Sequence, residues 1–245
     1  MFTRDRARAG ELRERYPHAA EMLVLYLALV EVWESVDGPV PVEWARDHVL
    51  PKVVRATAAH GPPLLAATVR AVHDDVLDVW LAGAELTPVE RYLARATLLV
   101  VQPPCRPDGK PGACPRCGGA PQVSYRTAAD DPLVSGRRLL ECAVCGHAWT
   151  FSATTCPACG DTGKRTVYGE PPPGVRVGRA APADDALFPH LRAEACRACR
   201  RYLIDVDLGR DPGAVPRVDE LVAVPIDLHM ADQGYSKITP NLMGF

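Results

Sequence analysis

Eight of the nine cysteines stand as four Cys-x-x-Cys pairs: Cys114/Cys117, Cys142/Cys145, Cys156/Cys159 and Cys196/Cys199. Two thiolates separated by two residues wrap a tight knuckle around one soft cation, and two knuckles complete a tetrahedral four-sulfur site. Eight ligands predict two metal ions. The gaps between successive pairs are 24, 10 and 36 residues. They allow sites built from pairs one and two and from pairs three and four. They equally allow a cross-braced pairing of one with three and two with four.

The knuckles carry their own local chemistry. Cys114-Pro-Arg-Cys-Gly118 and Cys156-Pro-Ala-Cys-Gly160 share the form CPxCG. Proline sets φ after the first ligand, and glycine can take the positive φ that turns backbone N–H groups toward sulfur. Cys142-Ala-Val-Cys-Gly146 keeps the glycine, whereas Cys196-Arg-Ala-Cys-Arg200 does not. A single CxxC in a βαβ setting would read as a redox pair, but four among short strands read as metal ligands. Zinc and iron both accept four thiolates, so ligand identity does not separate them.

Outside the pairs there is little chemistry. Cys105, alone in a Pro/Gly-rich stretch with only Arg106 to lower its pKa, reads as a free surface thiol. His147 adjoins the second knuckle and, with four thiols at hand, is not needed as a ligand. His190 and His229 read as surface residues. Asp74-Asp75 and Asp184-Asp185 read as solvated charges, with no nucleophile near them in sequence. Phosphate-binding glycine loops are missing from the sequence, and a site filled by four protein sulfurs leaves no position for a catalytic water. No catalytic residue is assigned, and the chain is expected not to be an enzyme.

The elements that position the knuckles follow from periodicity. Up to about residue 101 the pattern is helical: a first helix from Pro17 toward Asp37-Gly38-Pro39, a second over 41–60 split or kinked by Pro51, and a third from Pro62 to Gly83. The fourth starts at Thr87-Pro88-Val89-Glu90, which supplies an N-cap, a first-turn proline and the acid of a capping box. Antiparallel helices joined by short Gly/Pro turns predict a small N-terminal bundle. Strand-like pieces then flank the knuckles at 122–125, 138–141, 148–151, 166–168 and 202–207. A closing helix falls within 221–233, confined to its later part by Pro225. Ribbon knuckles are expected to have little apolar core, so metal should fold the cysteine-rich half.

Composition bounds the partners. The chain has 245 residues, 47% of them hydrophobic, and its longest apolar run, Met22 to Val30, is too short to span a bilayer. The arginine-rich start lacks a small-residue cleavage site and does not read as a signal peptide. Thiols in an unexported chain stay reduced, which places the protein in the cytoplasm. Residues 105–245 hold 17 Lys+Arg against 16 Asp+Glu. Thiolate ligation would make that half net acidic, which argues against a nucleic-acid surface.

Five stretches taken together carry a family resemblance: CPRCGGAP at 114–121, RRLLECAVCGHAWTF at 137–151, TTCPACGD at 154–161, EACRACRRYLIDVDL at 194–208 and DLHMADQGYSKITPNLMGF at 227–245. They resemble the formate dehydrogenase accessory protein family, FdhE. The resemblance implies an α+β chain with an N-terminal α-helical bundle over 1–104, a linker at 105–113, and two rubredoxin-like, zinc-ribbon-like modules. These would be 114–153 and 154–245, the latter with the C-terminal tail. It further implies that Cys114, Cys117, Cys142, Cys145, Cys156, Cys159, Cys196 and Cys199 hold two metal ions, iron in the family, with zinc as the alternative. The partner implied is the catalytic subunit of a molybdenum- or tungsten-dependent formate dehydrogenase, bound during maturation. An electron-transfer protein and a zinc-ribbon nucleic-acid binder are the competing readings.

Overall fold

The computed structural model describes residues 2–71, 75–102, 109–128, 136–163, 165–169 and 187–245. Cys105, Asp74 and the pair Asp184-Asp185 lie outside the described residues. The chain is α+β and divides into two compact units, Met1–Pro104 with Leu242–Gly244, and Cys105–Asn241 with Phe245.

The first unit is helical, with α1 Thr3–Arg15, α2 Ala20–Glu34, α3 Val42–His48, α4 Leu50–His60, α5 Pro63–Thr68, α6 Val76–Leu81 and α7 Pro88–Leu98. Leu23, Leu29, Trp33, Val53, Leu77 and Leu93 fill its centre. The Trp33 indole N–H reaches the Ala96 carbonyl at 2.8 Å, so burying this large ring leaves no orphaned donor. At α7, Thr87 and Glu90 form the expected capping box, with the Thr87 N–H donating to Glu90 Oε2 at 2.8 Å.

Two expectations for this unit change. A helix, α1, precedes Pro17, where none was read. Its inward face is half polar: Asp5 and Arg8 are buried beside Ala9 and Leu12, and Asp5 accepts a 2.7 Å hydrogen bond from the Tyr26 hydroxyl. Two apolar residues interrupted by charges make too weak a stripe for periodicity to detect. The expected third helix is two shorter ones, α5 and α6, with a 3-10 turn at Val69–Ala71 after α5.

The second unit is built on one seven-stranded sheet. Its strands are β1 Pro121–Arg126, β2 Arg138–Cys142, β3 Ala148–Thr150, β4 Arg165–Tyr168, β5 Leu191–Cys196, β6 Arg201–Asp207 and β7 Ser236–Lys237. Their order is β3-β2-β1-β6-β5-β4, with β7 paired to β6. Within each triplet, β1β2β3 and β4β5β6, neighbours pair antiparallel; β1 and β6 join the triplets in parallel. The duplication seen in the knuckles therefore extends to the strands.

Strand β5 was not anticipated, because LRAEAC has few strand-favouring residues. Its charges are satisfied within the sheet. Arg192 stands opposite Asp205 and pairs with it at 2.7 Å, and Glu194 pairs with Arg138 at 3.0 Å and with Arg126. Asp205, fully buried, also receives Ser124 Oγ at 2.7 Å and Arg126 Nε at 3.0 Å.

Two short helices, α8 Pro216–Asp219 and α9 Val224–Asp232, complete this unit. Val123, Leu140, Leu203 and Ile204 from the sheet are buried, as are Leu221, Ile226 and Met230 from this helical segment. The cysteine-rich half thus has a substantial apolar core, contrary to the expectation for isolated ribbons. Lys237 Nζ is buried between Glu220 at 2.8 Å and Asp227 at 3.0 Å. Burial pushes the Glu220 carboxyl above its usual range, against the pull of Lys237. Among the described residues, no helix is long and apolar enough to cross a membrane.

Candidate metal centres

Each strand triplet carries two knuckles in equivalent places. Cys114 and Cys117 precede β1, while Cys142 ends β2 and Cys145 lies in the turn to β3. Likewise Cys156 and Cys159 precede β4, while Cys196 ends β5 and Cys199 lies in the turn to β6. Because β1 pairs with β2 and β4 with β5, the hairpins bring pair one to pair two and pair three to pair four. The cross-braced alternative is not what forms.

The sulfurs converge in two groups, Cys114/Cys117/Cys142/Cys145 and Cys156/Cys159/Cys196/Cys199, each with all four Sγ atoms within 4.8 Å of one another. In the first, Cys114–Cys145 is 3.7 Å, and Cys117–Cys142 and Cys117–Cys145 are both 3.5 Å. In the second, Cys156–Cys199 and Cys159–Cys196 are both 3.8 Å. A tetrahedron with metal–sulfur bonds of about 2.3 Å has sulfur–sulfur edges of about 3.8 Å, so both groups fit a thiolate-bound cation of that size.

The four knuckles share one backbone turn. The N–H of Gly118, Gly146, Gly160 and Arg200 donates to the carbonyl of Cys114, Cys142, Cys156 and Cys196, at 2.8, 3.1, 2.9 and 3.0 Å. All four residues have positive φ: 74°, 63°, 78° and, for Arg200, 56°. The departure at Arg200 therefore leaves the turn intact, at the steric cost a side chain meets in the left-handed region. Its guanidinium lies 3.8 Å over the Tyr235 ring and donates to the Gln233 carbonyl, tying the knuckle to the end of α9.

Backbone N–H groups also point at sulfur, Arg116 N to Cys114 and Val144 N to Cys142, each at 3.4 Å. A hydrogen bond from the Cys142 thiol brings Cys145 down to about 5, while burial pushes Cys117 up to about 11. In the second group, burial pushes Cys199 up to about 12.

His147 stacks against Trp149, and His229 lies near Tyr168; neither belongs to a thiol group. His190 is not a surface residue. It is 2% exposed, with Nε2 2.8 Å from Asp219 Oδ1. His190, Asp219 and Asp211 form a third convergent group. Asp219 Oδ2 also accepts the Val215 N–H at 2.7 Å, so this carboxylate anchors the start of α8. Nothing in the periodicity around His190 signals its burial, because its partner comes from 29 residues away.

Known proteins with similar sequence or structure point one way. Residues 178–243 match the family model described as FdhE, C-terminal domain. A Protein FdhE homolog of Aquifex aeolicus is 29% identical over 139 residues, 54% of this chain and 41% of that protein. One from Haemophilus ducreyi is 25% identical over 163 residues, 66% of this chain and 46% of that protein. The matches thus span less than half the length of these relatives. The crystal structure of the FdhE protein from Pseudomonas aeruginosa superposes with a TM-score of 0.61 at 20% identity, covering 99% of this chain and 95% of that one, which shows a shared fold. The resemblance of this chain to the FdhE family, legible in its cysteine motifs and tail, is thereby shown.

Proposed function

We propose that the protein is an accessory factor in the maturation of a molybdenum- or tungsten-dependent formate dehydrogenase, binding its catalytic subunit in the cytoplasm and catalysing no reaction itself. The observation that carries this reading is the pair of four-cysteine groups set on duplicated hairpins in a chain similar to FdhE homologs. In this reading 1–104 is a helical-bundle domain joined by 105–113 to two rubredoxin-like modules, 114–153 and 154–245. The modules share one continuous sheet.

Cys114, Cys117, Cys142 and Cys145 hold one metal ion, and Cys156, Cys159, Cys196 and Cys199 hold the other. When bound, iron or zinc cross-links the two knuckles of a site, and iron in addition exchanges one electron. The chain's own part is to present eight thiolates, steady them with backbone N–H groups, and keep the hairpins in register. A scaffold of this kind supports docking of a protein surface better than hydrolysis, since the sulfurs occupy every tetrahedral position.

Deleting the gene in its native host tests the function. The expected result is loss of formate dehydrogenase activity with natural and artificial acceptors alike, and recovery of the catalytic subunit with the tagged protein under anaerobic conditions. An enzyme left intact toward artificial acceptors, together with reduction of the purified iron-loaded protein by formate and mature enzyme, would establish an electron carrier instead.

A further inference from the structure

The two thiol groups share a topology but differ in their surroundings. In the first, Cys114, Cys117 and Cys142 are buried and Cys145 is half-buried. Val144 and Trp149 pack against them. Gly119, five residues after Cys114, brings backbone so close that a Cβ there would meet Cys142 Sγ and Val144 at 2.9 Å.

In the second group Cys159 is exposed and Cys199 half-buried. The position equivalent to Val144 is Ala198, which is exposed. The position equivalent to Gly119 is Asp161, whose Oδ2 lies 4.0 Å from Cys196 Sγ while accepting the Gly163 N–H at 3.0 Å. A carboxylate stands at the second group where the first has only a glycine.

We infer that the two sites are inequivalent, with Cys156/Cys159/Cys196/Cys199 an exchange site open to an incoming thiolate or chelating ligand and Cys114/Cys117/Cys142/Cys145 a closed structural site. This rests on the metal-binding reading above. Substitution at a tetrahedral four-thiolate centre needs approach of the incoming donor, which the burial of three of four sulfurs hinders at the first site and the exposed Cys159 permits at the second. Four thiolates around a divalent cation already carry net charge −2, and the Asp161 carboxylate adds repulsion that favours departure of a sulfur. As an incoming thiol joins the cation it gives up its proton, and the departing Cys159 sulfur takes one up. No electrons are transferred.

The test uses the full chain loaded with zinc under anaerobic conditions. Zinc transfer to a chromophoric chelator is followed in time, with iodoacetamide pulses and mass spectrometry locating the freed thiols. Two phases of one ion each are expected, separated at least about tenfold in rate by the difference in access, with Cys159 and Cys199 alkylated in the fast phase. Asp161→Asn, which keeps an oxygen for the Gly163 N–H but removes the charge, should slow the fast phase several-fold and leave the slow phase unchanged. A single phase labelling both groups together, or earlier labelling of Cys117 and Cys145, would overturn the inference. An unchanged fast phase in Asp161→Asn would remove Asp161 from it. A chain that binds fewer than two zinc ions would instead break the metal-binding reading itself.

Discussion

The helical unit closes on apolar side chains drawn from most of its helices, whereas the sheet unit adds a network of ion pairs with both partners buried, and two thiol groups, to a core of similar kind. In the helical unit buried Asp5 accepts a hydrogen bond from the Tyr26 hydroxyl, and buried Arg8 pairs with the exposed Glu11 at 2.9 Å. In the sheet unit Asp205 takes hydrogen bonds from Arg126, Arg192 and Ser124, and Lys237 lies between two carboxylates. Burying charge costs more than burying hydrocarbon unless every partner is in place. The sheet unit consequently depends more on exact charge pairings, the helical unit more on volume and pattern.

The largest effect should come from a ligand. Cys142→Ser is expected to remove the ion of the first site and loosen the knuckles at 114–118 and 142–146 without changing the helical unit. Structural metal sites contribute on the order of 10 kcal/mol of binding free energy to the element they hold. Metal content and hydrogen exchange on the same sample check this. Protection at the centre of β1, β5 and β6 should persist, because Val123 and Ile204 pack there without help from sulfur. If exchange rises throughout 114–245, the apolar core is not self-sufficient and the sheet unit, unlike the helical one, depends on its metal.

Next comes a matched pair of substitutions. Asp205→Ala leaves two guanidinium groups short of a partner and should destabilise the sheet unit by about 3 kcal/mol, Arg126 and Arg192 being partly solvated. Leu93→Ala empties a fully buried site in the helical unit and should cost about 2–5 kcal/mol there. Denaturant unfolding followed separately for each unit by hydrogen exchange distinguishes them. Salt should moderate the first loss and leave the second unchanged. Equal salt dependence would dissolve the contrast.

The smallest effect sharpens the comparison within the sheet unit. Arg200→Ala keeps the left-handed position but loses the Tyr235 stack and the bond to Gln233, and should cost about 1–2 kcal/mol. Arg200→Gly loses the same contacts yet relieves the left-handed strain, so it should be about 1 kcal/mol more stable than Arg200→Ala. Urea unfolding of the metal-loaded variants measures the difference. Equal stability would mean that the knuckle does not hold Arg200 at positive φ in solution.

The cysteine spacing, the α7 capping box and the shift from helical to strand patterning near residue 102 are properties of neighbouring residues, and so were legible along the chain. The helix over α1 was not, because its buried positions include Asp5 and Arg8, which look like surface until Tyr26 and the rest of the unit surround them. Strand β5 was hidden for the same reason, its Arg and Glu being satisfied only across the sheet.

The sequence by itself determined that eight thiols would form knuckles, since a two-residue spacing puts both sulfurs of a pair on one tight turn whatever surrounds it. It also determined where helices give way to ribbons. Only the tertiary structure decided which knuckles meet, because gaps of 24, 10 and 36 residues permit more than one pairing and strand register selects among them. The same long-range pairing joined the two ribbons through β1 and β6, buried His190 against Asp219, and placed a carboxylate beside one thiol group but not the other. Contacts between residues far apart in the chain depend on the closure of the whole sheet, and no local pattern encodes them.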